Sequence, residues 1–191
     1  MHRNNLIRCP WCLTSPHMQA YHDNEWGAPV KDDLKLFEFL VLDAFQAGLS
    51  WSTILKKRQA FHHAFDGFNP EKIARYDEGK IHSLLMDSGI IRNRLKIRGT
   101  VQNAQSFLRI QEQTGSFSDY IWQFTGGRTV QNQWESQSDI PATSIESDRM
   151  SRELKRNGFT FVGSTICYAF MQAAGLVNDH VTNCYRYHEL L

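Results

Sequence analysis

Apolar residues recur along this chain at helical spacing, and they are densest in one run from Leu36 to Leu42. Asp32 or Asp33 supplies an N-cap before this run, so we predict a helix that reaches about Ala47. Its apolar positions cover nearly the whole circumference, which is typical of a buried, central helix. Asp43 directly follows the run, and a carboxylate beside a core is costly unless it is paired or used. An exposed position near a helix end is the simpler alternative for Asp43 taken alone.

Other periodic segments predict a chain that is helical almost throughout, and we predict an all-α fold in one domain covering residues 1–191. The stretch 9–29 contains prolines and dense aromatics and is predicted to be loop, as is the polar connection 128–145. The best strand candidate is Phe159–Val162. Further helices are predicted at about 52–65, 70–75, 78–86, from the Gly89 turn to about 113, 116–124, 147–157 with Ser147 as N-cap, 163–174, and as a last turn or short helix through Cys184.

Composition narrows the class of protein without identifying it. The chain has 191 residues, 41% hydrophobic and 21% charged, which is ordinary for a globular protein. Its net charge is only +1, so any binding of nucleic acid must use a local patch. No apolar run is long enough to span a membrane. We therefore expect a cytoplasmic protein with no membrane partner, and a monomer.

Four cysteines and the histidines near both chain ends suggest a metal site. On a helix His180 and Cys184 would share one face at the ligand spacing of a zinc half-site. Cys9 and His22 could supply the other half, and four protein ligands would make the zinc structural. Two alternatives stay open: His180 and Cys184 are an ordinary histidine and an idle thiol, or Cys12 acts with Cys9 as a C-x-x-C redox pair or replaces Cys9 as ligand.

A second motif lies between Met86 and Lys96, where one helix stops at a glycine turn and another follows. In a helix–hairpin–helix, backbone N–H groups of such a turn and the next helix N-terminus bind one phosphate. An ordinary turn between two helices with solvated charges is the alternative. Phosphate contact positions a protein but carries no sequence information. The residues expected to contact DNA here are Gly89, Ile91, Arg92 and Arg94, with Lys96 adding charge nearby.

Six segments stand out in order along the chain: Ala20–Gly27, Gln46–Trp51, Ile54–Arg58, Ser88–Arg92, Gly158–Gly163 and Gly175–His180. Together they resemble the DNA-3-methyladenine glycosylase I (Tag) family. The resemblance spans roughly residues 9–184 and implies a helix–hairpin–helix glycosylase fold, with two helical lobes, a base-binding cleft and a hairpin at about 78–113. Members of this family hydrolyse the N-glycosidic bond of 3-methyladenine in alkylated DNA, without a lysine nucleophile and without strand cleavage.

The resemblance assigns the ligands of one structural Zn²⁺ per chain, which would join the two chain ends. It favours Cys9 over Cys12. The family's base-contacting position usually carries Glu, and here it is Asp43, which is one methylene shorter. We therefore assign Asp43, the candidate catalytic residue, mainly to base recognition and electrostatic stabilisation. The implied zinc ligands are Cys9, His22, His180 and Cys184.

The resemblance also implies an aromatic pocket for a flipped base. Tyr21 and Trp51 match the residues that stack on the base, and such stacking is worth about 1–3 kcal/mol per base. Trp11 and Trp26 match further pocket walls. Core filling is the alternative for these aromatics. Because N3-methylation makes adenine cationic, an electron-rich pocket with a carboxylate would select it over normal adenine.

The DNA itself is expected to be contacted by one more loop. Gly48 and Leu49 match the family's loop that fills the gap left by the extruded nucleotide. The leading hypothesis is thus a monofunctional glycosylase that acts on double-stranded DNA containing alkylated bases and releases free 3-methyladenine. The alternative is a non-enzymatic module that binds alkylation damage with the same pocket and releases no base.

Overall fold

The computed structural model describes residues 6–191, so the first five residues of the predicted domain lie outside it. Helices carry nearly all regular structure in this range, which confirms the all-α class. Two-residue strands β1 (Val130–Gln131) and β2 (Val177–Asn178) pair in parallel. The helices are α1 (Pro16–Asn24), α2 (Asp33–Gln46), α3 (Trp51–Ala64), α4 (Pro70–Ile73), α5 (Glu78–Met86), α6 (Arg94–Thr114), α7 (Phe117–Trp122), α8 (Ile145–Arg156), α9 (Ser164–Ala173) and α10 (Tyr185–Glu189), with 3₁₀ turns at Pro10–Thr14, Asp66–Phe68, Gln123–Thr125 and Gln137–Asp139.

Helix α2 is the centre of the core, as its apolar circumference predicts. Asp32 caps it, because its side chain accepts a hydrogen bond from the backbone N–H of Lys35 at 2.7 Å. The helix packs against α3, α6, α7 and α9. Phe37, Phe39 and Phe45 are fully buried, and each contributes about 1.5–3 kcal/mol of transfer free energy. Asp43, which α2 carries near its C-terminal end, is therefore enclosed by the neighbouring elements.

The N-terminal segment predicted as loop is largely helical, so that prediction was wrong. Pro16 occupies the first turn of α1, where its missing N–H costs no helical hydrogen bond. Ser15 caps the helix by accepting from the backbone N–H of Met18. Prolines that looked like helix breakers thus mark a helix start. The segment 128–145, predicted as a polar connection, contains β1 and one 3₁₀ turn, and α8 begins only at its last residue.

The predictions around α8 and α9 also need correction. The N-cap of α8 is Ser144, whose side chain and that of Ser147 each accept from the other's backbone N–H. Ser147 is therefore the third helical residue and not the cap. The segment Phe159–Val162 is not a strand, because Phe161 has φ +57° and the Asn103 side chain bonds the neighbouring backbone.

The loop after α1 crosses the C-terminal end of α9. Gly175 has φ +72°, and a Cβ there would lie 2.5 Å from the backbone carbon of Ala28. Two backbone hydrogen bonds, from Gly27 N–H to the Gln172 carbonyl and from Val30 N–H to the Ala174 carbonyl, join the segments. The loop after α1 is thereby held against α9. Within residues 6–191, none of the helices has both the length and the apolar character needed to cross a membrane.

The close contact at this crossing, between Gly175 and the backbone of Ala28, gives a testable prediction. We expect Gly175→Ala to lower the free energy of unfolding by about 2–4 kcal/mol. The energetic cost of a left-handed backbone at a non-glycine residue adds to the cost of the steric overlap between the new Cβ and the backbone of Ala28. Gly126→Ala is the matched control, since Gly126 has φ +68° but a Cβ there would meet no atom within 4 Å. That variant should lose only about 1–2 kcal/mol in urea unfolding. Equal losses in the two variants would show that the crossing is not tight.

Candidate functional site

A cavity of about 370 Å³ opens between the N-terminal helices and α9. Its size is in the range of pockets that hold small molecules. The structure brings together at this cavity all five residues predicted to bind or act on the base. The lining residues are Trp11, Met18, Tyr21, Trp26, Asp43, Gln46, Trp51, Gln137, Ile140, Ala169, Gln172 and Ala173.

The four predicted aromatic residues come from different elements and contact one another in pairs. Trp11 and Trp26 meet edge to face, with ring centroids 5.0 Å apart. Tyr21 and Trp51 lie 5.3 Å apart at 53°. Tilted and edge-to-face rings are favourable arrangements that leave ring faces available to a third planar group. The cavity is therefore built to accept a flat, aromatic molecule.

Asp43 lies at this cavity on α2 and is only 2% exposed. Burial raises its pKa well above the usual range, which favours the neutral carboxyl. Three buried side-chain nitrogen or oxygen atoms lack a hydrogen bond in the described part of the chain. Two of them, Asp43 Oδ2 and Trp51 Nε1, belong to residues that line the cavity. Each such atom costs about 1–3 kcal/mol, and their concentration here indicates a site that a ligand completes.

A charged network behind the cavity is, by contrast, fully paired. Arg58 of α3 donates two hydrogen bonds to Glu25, at 2.9 and 2.8 Å, and one to Glu38, at 2.7 Å. Lys35 adds a bond of 2.9 Å to Glu38. Bidentate pairs of this kind fix orientation as well as adding energy. The network joins α2 and α3 to the turn that carries Trp26, and so makes the cavity wall rigid.

A second cluster lies beside the cavity and contains the four predicted metal ligands. Their candidate donor atoms all lie within 4.8 Å of one another, and all four residues are buried. The Sγ atom of Cys184 is 3.4 Å from His22 Nε2 and 3.6 Å from His180 Nδ1. Cys12 lies outside the cluster, since its thiol donates to the Cys9 carbonyl at 3.1 Å. Bonds from Cys9 and from both imidazoles hold the pKa of Cys184 low.

The remaining nitrogen of each imidazole has its own partner. His22 Nδ1 donates to Asp23 at 2.8 Å, and His180 Nε2 donates to the Trp26 carbonyl at 3.1 Å. Arg8 holds Asp23 with several hydrogen bonds. Although burial raises it, the bonds from Arg8 and His22 lower the pKa of Asp23 to about 2. Histidines that ligate metals are oriented by such carboxylate and carbonyl partners, and two thiolates with two imidazoles suit zinc.

The cluster is not built as its spacing suggested. His180 and Cys184 lie in a turn between β2 and α10. Cys184 occupies the N-cap position of α10, and its side chain makes no capping hydrogen bond. Of the predicted last turn or short helix, the structure has the turn, and this turn brings the two predicted residues together without helical spacing. Gly27 shows how tightly the cluster packs on the cavity wall, because a Cβ there would lie 2.9 Å from His180 Nε2.

The predicted hairpin connects α5 to α6 through residues 87–93, so the second helix begins later than expected. The N–H of Gly89 donates to the Asp87 carboxylate at 2.7 Å, and a Cβ at Gly89 would lie 3.0 Å from Ala60 Cβ. Gly89 therefore serves close packing on α3 as well as the turn. Arg92 and Arg94 are exposed, whereas Ile91 is half-buried.

The structure corrects the role of Lys96, which was expected to add charge near a phosphate. Its side chain is buried, and Nζ donates to the carbonyls of Phe45 and Ala47 at 2.8 and 2.6 Å. These carbonyls belong to the C-terminal end of α2, where the loop with Gly48 and Leu49 begins. Leu49 is 41% exposed.

Sequence reasoning missed the side of the cavity opposite the aromatic residues. Ala169, Gln172 and Ala173 share one face of α9, and their helical spacing is the only signal that could group them. Met18 lies one turn before Tyr21 on α1 and could have been found in the same way. Gln137 and Ile140 come from the irregular segment before α8, for which the sequence offered no pattern.

Comparison with known proteins gives consistent results over most of the chain. A model of the family described as methyladenine glycosylase matches residues 11–187. DNA-3-methyladenine glycosylase 1 of Escherichia coli (strain K12) is 46% identical over 179 residues, which are 94% of this chain and 96% of that protein. DNA-3-methyladenine glycosylase of Haemophilus influenzae is 42% identical, over 93% of this chain and 96% of that protein.

Solved structures agree with the sequence relatives. A crystal structure of 3-methyladenine DNA glycosylase I (TAG) has a TM-score of 0.92 and 46% identity, covering 94% of this chain and 98% of that chain. A structure of the Staphylococcus aureus enzyme, described as showing the structural basis of 3-methyladenine recognition, has a TM-score of 0.90 and 36% identity. It covers 93% of this chain and 95% of that chain.

The buried carboxyl of Asp43 gives a prediction about stability and pH. Because the pKa of Asp43 is raised on folding, the folded state binds more protons, and stability is lost as pH rises above about 4. Asp43→Asn removes this loss, so we expect it to raise the free energy of unfolding at pH 7 by about 1–3 kcal/mol. The gain should shrink toward pH 4 in urea unfolding.

The surface variant Asp119→Asn is the control for Asp43→Asn and should show no gain that grows with pH. A stability of Asp43→Asn equal to or below that of the parent at pH 7 would mean that Asp43 is well satisfied in the folded state.

Proposed function

The chain belongs to the methyladenine glycosylase family, and from this premise we infer that it is a base-excision repair enzyme. It hydrolyses the N-glycosidic bond of 3-methyladenine in alkylated DNA. The observation that carries this inference is the aromatic cavity with the unpaired Asp43 carboxyl at its wall. The alternative of a non-enzymatic binding module would use the same cavity, but the relatives that the chain resembles over almost its full length are named as enzymes.

The cavity supports recognition of a flipped, cationic base. A base must leave the DNA stack before its glycosidic bond can be reached, and aromatic stacking repays part of that cost. We assign the stacking to Tyr21 and Trp51, with Trp11 and Trp26 as further walls. The cation is favoured by the electron-rich ring faces and by a carboxylate. Its charge also lowers the cost of ionising Asp43, because an opposite charge favours the carboxylate.

Hydrolysis then needs little from the protein beyond this environment. Because the methylated base carries a positive charge, the bond to the sugar breaks with its electron pair moving onto the base, which leaves neutral. Water adds its oxygen to the sugar carbon and releases a proton. No lysine lines the cavity among the described residues, which supports hydrolysis without an amine nucleophile and without strand cleavage. Asp43 thus acts mainly in recognition and electrostatic stabilisation.

We further propose that double-stranded DNA is held by the hairpin and the loop beside it. The exposed Arg92 and Arg94 supply positive charge at the turn that precedes α6, together with the backbone near Gly89 and Ile91. The exposed Leu49, on a turn made possible by φ +83° at Gly48, suits an apolar side chain that fills the gap left by the base.

We also propose that the cluster beside the cavity holds one structural Zn²⁺. Two thiolates and two imidazoles would fill all four positions of a structural zinc site and would leave none for water. When bound, the ion supplies a cross-link between the N-terminal and C-terminal parts of the chain. His180, through its bond to the Trp26 carbonyl, would pass that rigidity to the cavity wall. The ligands are Cys9, His22, His180 and Cys184.

The function is tested by incubating an excess of the protein with methylated double-stranded DNA and measuring free 3-methyladenine by chromatography. We expect release well above the spontaneous rate, with the DNA strand left intact. Release at the spontaneous rate would refute the enzymatic function.

Asp43→Asn should bind free 3-methyladenine about 10–100-fold more weakly in a tryptophan-fluorescence titration, because a hydrogen bond to a charged group is lost. Unchanged affinity in that variant would refute the role of Asp43 in recognition.

The metal site is tested by replacing two buried cysteines, one inside the cluster and one outside it. We expect the parent and Cys12→Ala to contain about one zinc per chain by elemental analysis, with Cys184→Ala containing little. Cys184→Ala should also lose several kcal/mol of unfolding free energy, whereas Cys12→Ala should lose about 1–2 kcal/mol, because it only leaves a small cavity. Stoichiometric zinc in Cys184→Ala, or a parent purified without metal, would contradict the proposal.

A further inference from the structure

Two lysine side chains connect the loop of residues 47–50 to the hairpin of residues 86–96. We call the first segment the gap-filling loop and the two side chains, Lys57 and Lys96, the lysine clasp. The ammonium group of Lys57, on the helix after the loop, donates to backbone carbonyls of the hairpin. The ammonium group of Lys96, in the hairpin, donates to backbone carbonyls at the end of α2 and the start of the loop. Neither forms an ion pair with a carboxylate within 4.0 Å in the described part of the chain.

Lys96 reaches from the first turn of α6 to the end of α2. Its side chain is 8% exposed, and its two acceptors are the carbonyls of Phe45 and Ala47, at 2.8 and 2.6 Å. Carbonyls at a helix C-terminus have no partner within their own helix, and the helix dipole favours a cation there. With two bonds made inside the protein, this ammonium is not available to a DNA phosphate. It caps α2 at the residue where the gap-filling loop begins.

Lys57 reaches in the opposite direction, from α3 to the hairpin. Its Nζ atom donates to the carbonyls of Ser88 and Gly89, both at 3.0 Å. One turn further along α3, Ala60 packs against the same glycine, leaving only 3.0 Å to a Cβ at that position. Because α3 begins directly after the gap-filling loop, the hairpin is attached to both ends of that loop.

The gap-filling loop has few other supports of its own. A Cβ at Gly48 would meet no atom within 4 Å, and Leu49 is exposed. The loop's other hydrogen bonds are local: the N–H of Leu49 donates to the Gln46 carbonyl at 2.6 Å, and Ser50 bonds only to the first turn of α3, at Thr53 and Ile54. The position of the Leu49 side chain therefore depends on where the two ends of the loop are held, and the lysine clasp holds both ends relative to the hairpin.

We propose that the lysine clasp positions the gap-filling loop, so that phosphate contact by the hairpin fixes how far Leu49 enters the DNA helix. This inference rests on the proposed function, because it requires that the protein extrude a base. Lys57 and Lys96 are positioning residues, since they act through the backbone and do not touch the base. Without the clasp, the hairpin would still bind phosphate and the cavity would still bind a free base, but extrusion of a paired base would lose its wedge.

Because the clasp should affect base extrusion but not binding of the free base, the proposal can be tested with two substrates. A methylated oligonucleotide with a single adenine is annealed either to a fully complementary strand or to a strand with an abasic site opposite the lesion. Extrusion is easier for an unpaired base. For Lys96→Met, we expect single-turnover release from the paired lesion to fall by about 10-fold or more, since small misplacements have large effects on rate. Release from the unpaired lesion should fall by less than about threefold, and affinity for free 3-methyladenine should stay unchanged.

The controls distinguish this proposal from a general loss of structure. Lys155→Met removes the same charge from an exposed position on α8 and should behave as the parent on both substrates. Lys57→Met tests the other half of the clasp and decides the question if Lys96→Met does not fold. Equal losses on paired and unpaired lesions, or no loss on either, would overturn the proposal. Failure of the parent protein to release base from either substrate would refute the proposed function, and the clasp proposal with it.

Discussion

A helix that is apolar around its whole circumference must be enclosed, and α2 imposes this constraint on the rest of the molecule. Helices α3, α6, α7 and α9 pack around it, and the site forms where that enclosure is incomplete, near its C-terminal end. A carboxyl placed there, on Asp43, is necessarily shielded from water. The same burial that makes the core stable thus creates an environment in which an unpaired carboxyl is unfavourable without a ligand.

The treatment of other buried charges shows that Asp43 is an exception. Asp179 is fully buried, but Asn132, Trp134 and Gln172 all donate hydrogen bonds to its two oxygens. Arg58 is likewise satisfied by two glutamates. Because Asp179 and Arg58 are satisfied so completely, the unpaired atom of Asp43 is better explained by function than by poor packing.

Local chemistry made much of the fold predictable. Caps such as Asp32 and the period of apolar residues are properties of neighbouring positions, so most of the helices from α2 to α9, and most of their limits, followed from the sequence. The predicted helical spacing of His180 and Cys184 failed because a turn can bring two side chains together as well as a helix can. The burial of Lys96 depends on carbonyls about fifty residues away, which no local pattern reveals. Likewise, Gln137 and the small residues of α9 carry no chemical signal until the fold places them at the cavity. The resemblance to a known family, more than periodicity, identified the aromatic residues of the site.

The double role of Trp26 affects how variants of this protein should be interpreted. Its ring forms part of the cavity wall, and its carbonyl orients a histidine of the neighbouring cluster. With Trp26 in its proposed role, a disturbance of that cluster would shift the ring and weaken the affinity for the base, even though the altered residue does not line the cavity. In a mutational scan scored by repair alone, residues of the two sites would be indistinguishable. The two kinds of residue can be told apart only by measuring the affinity for free base together with the metal content of each variant.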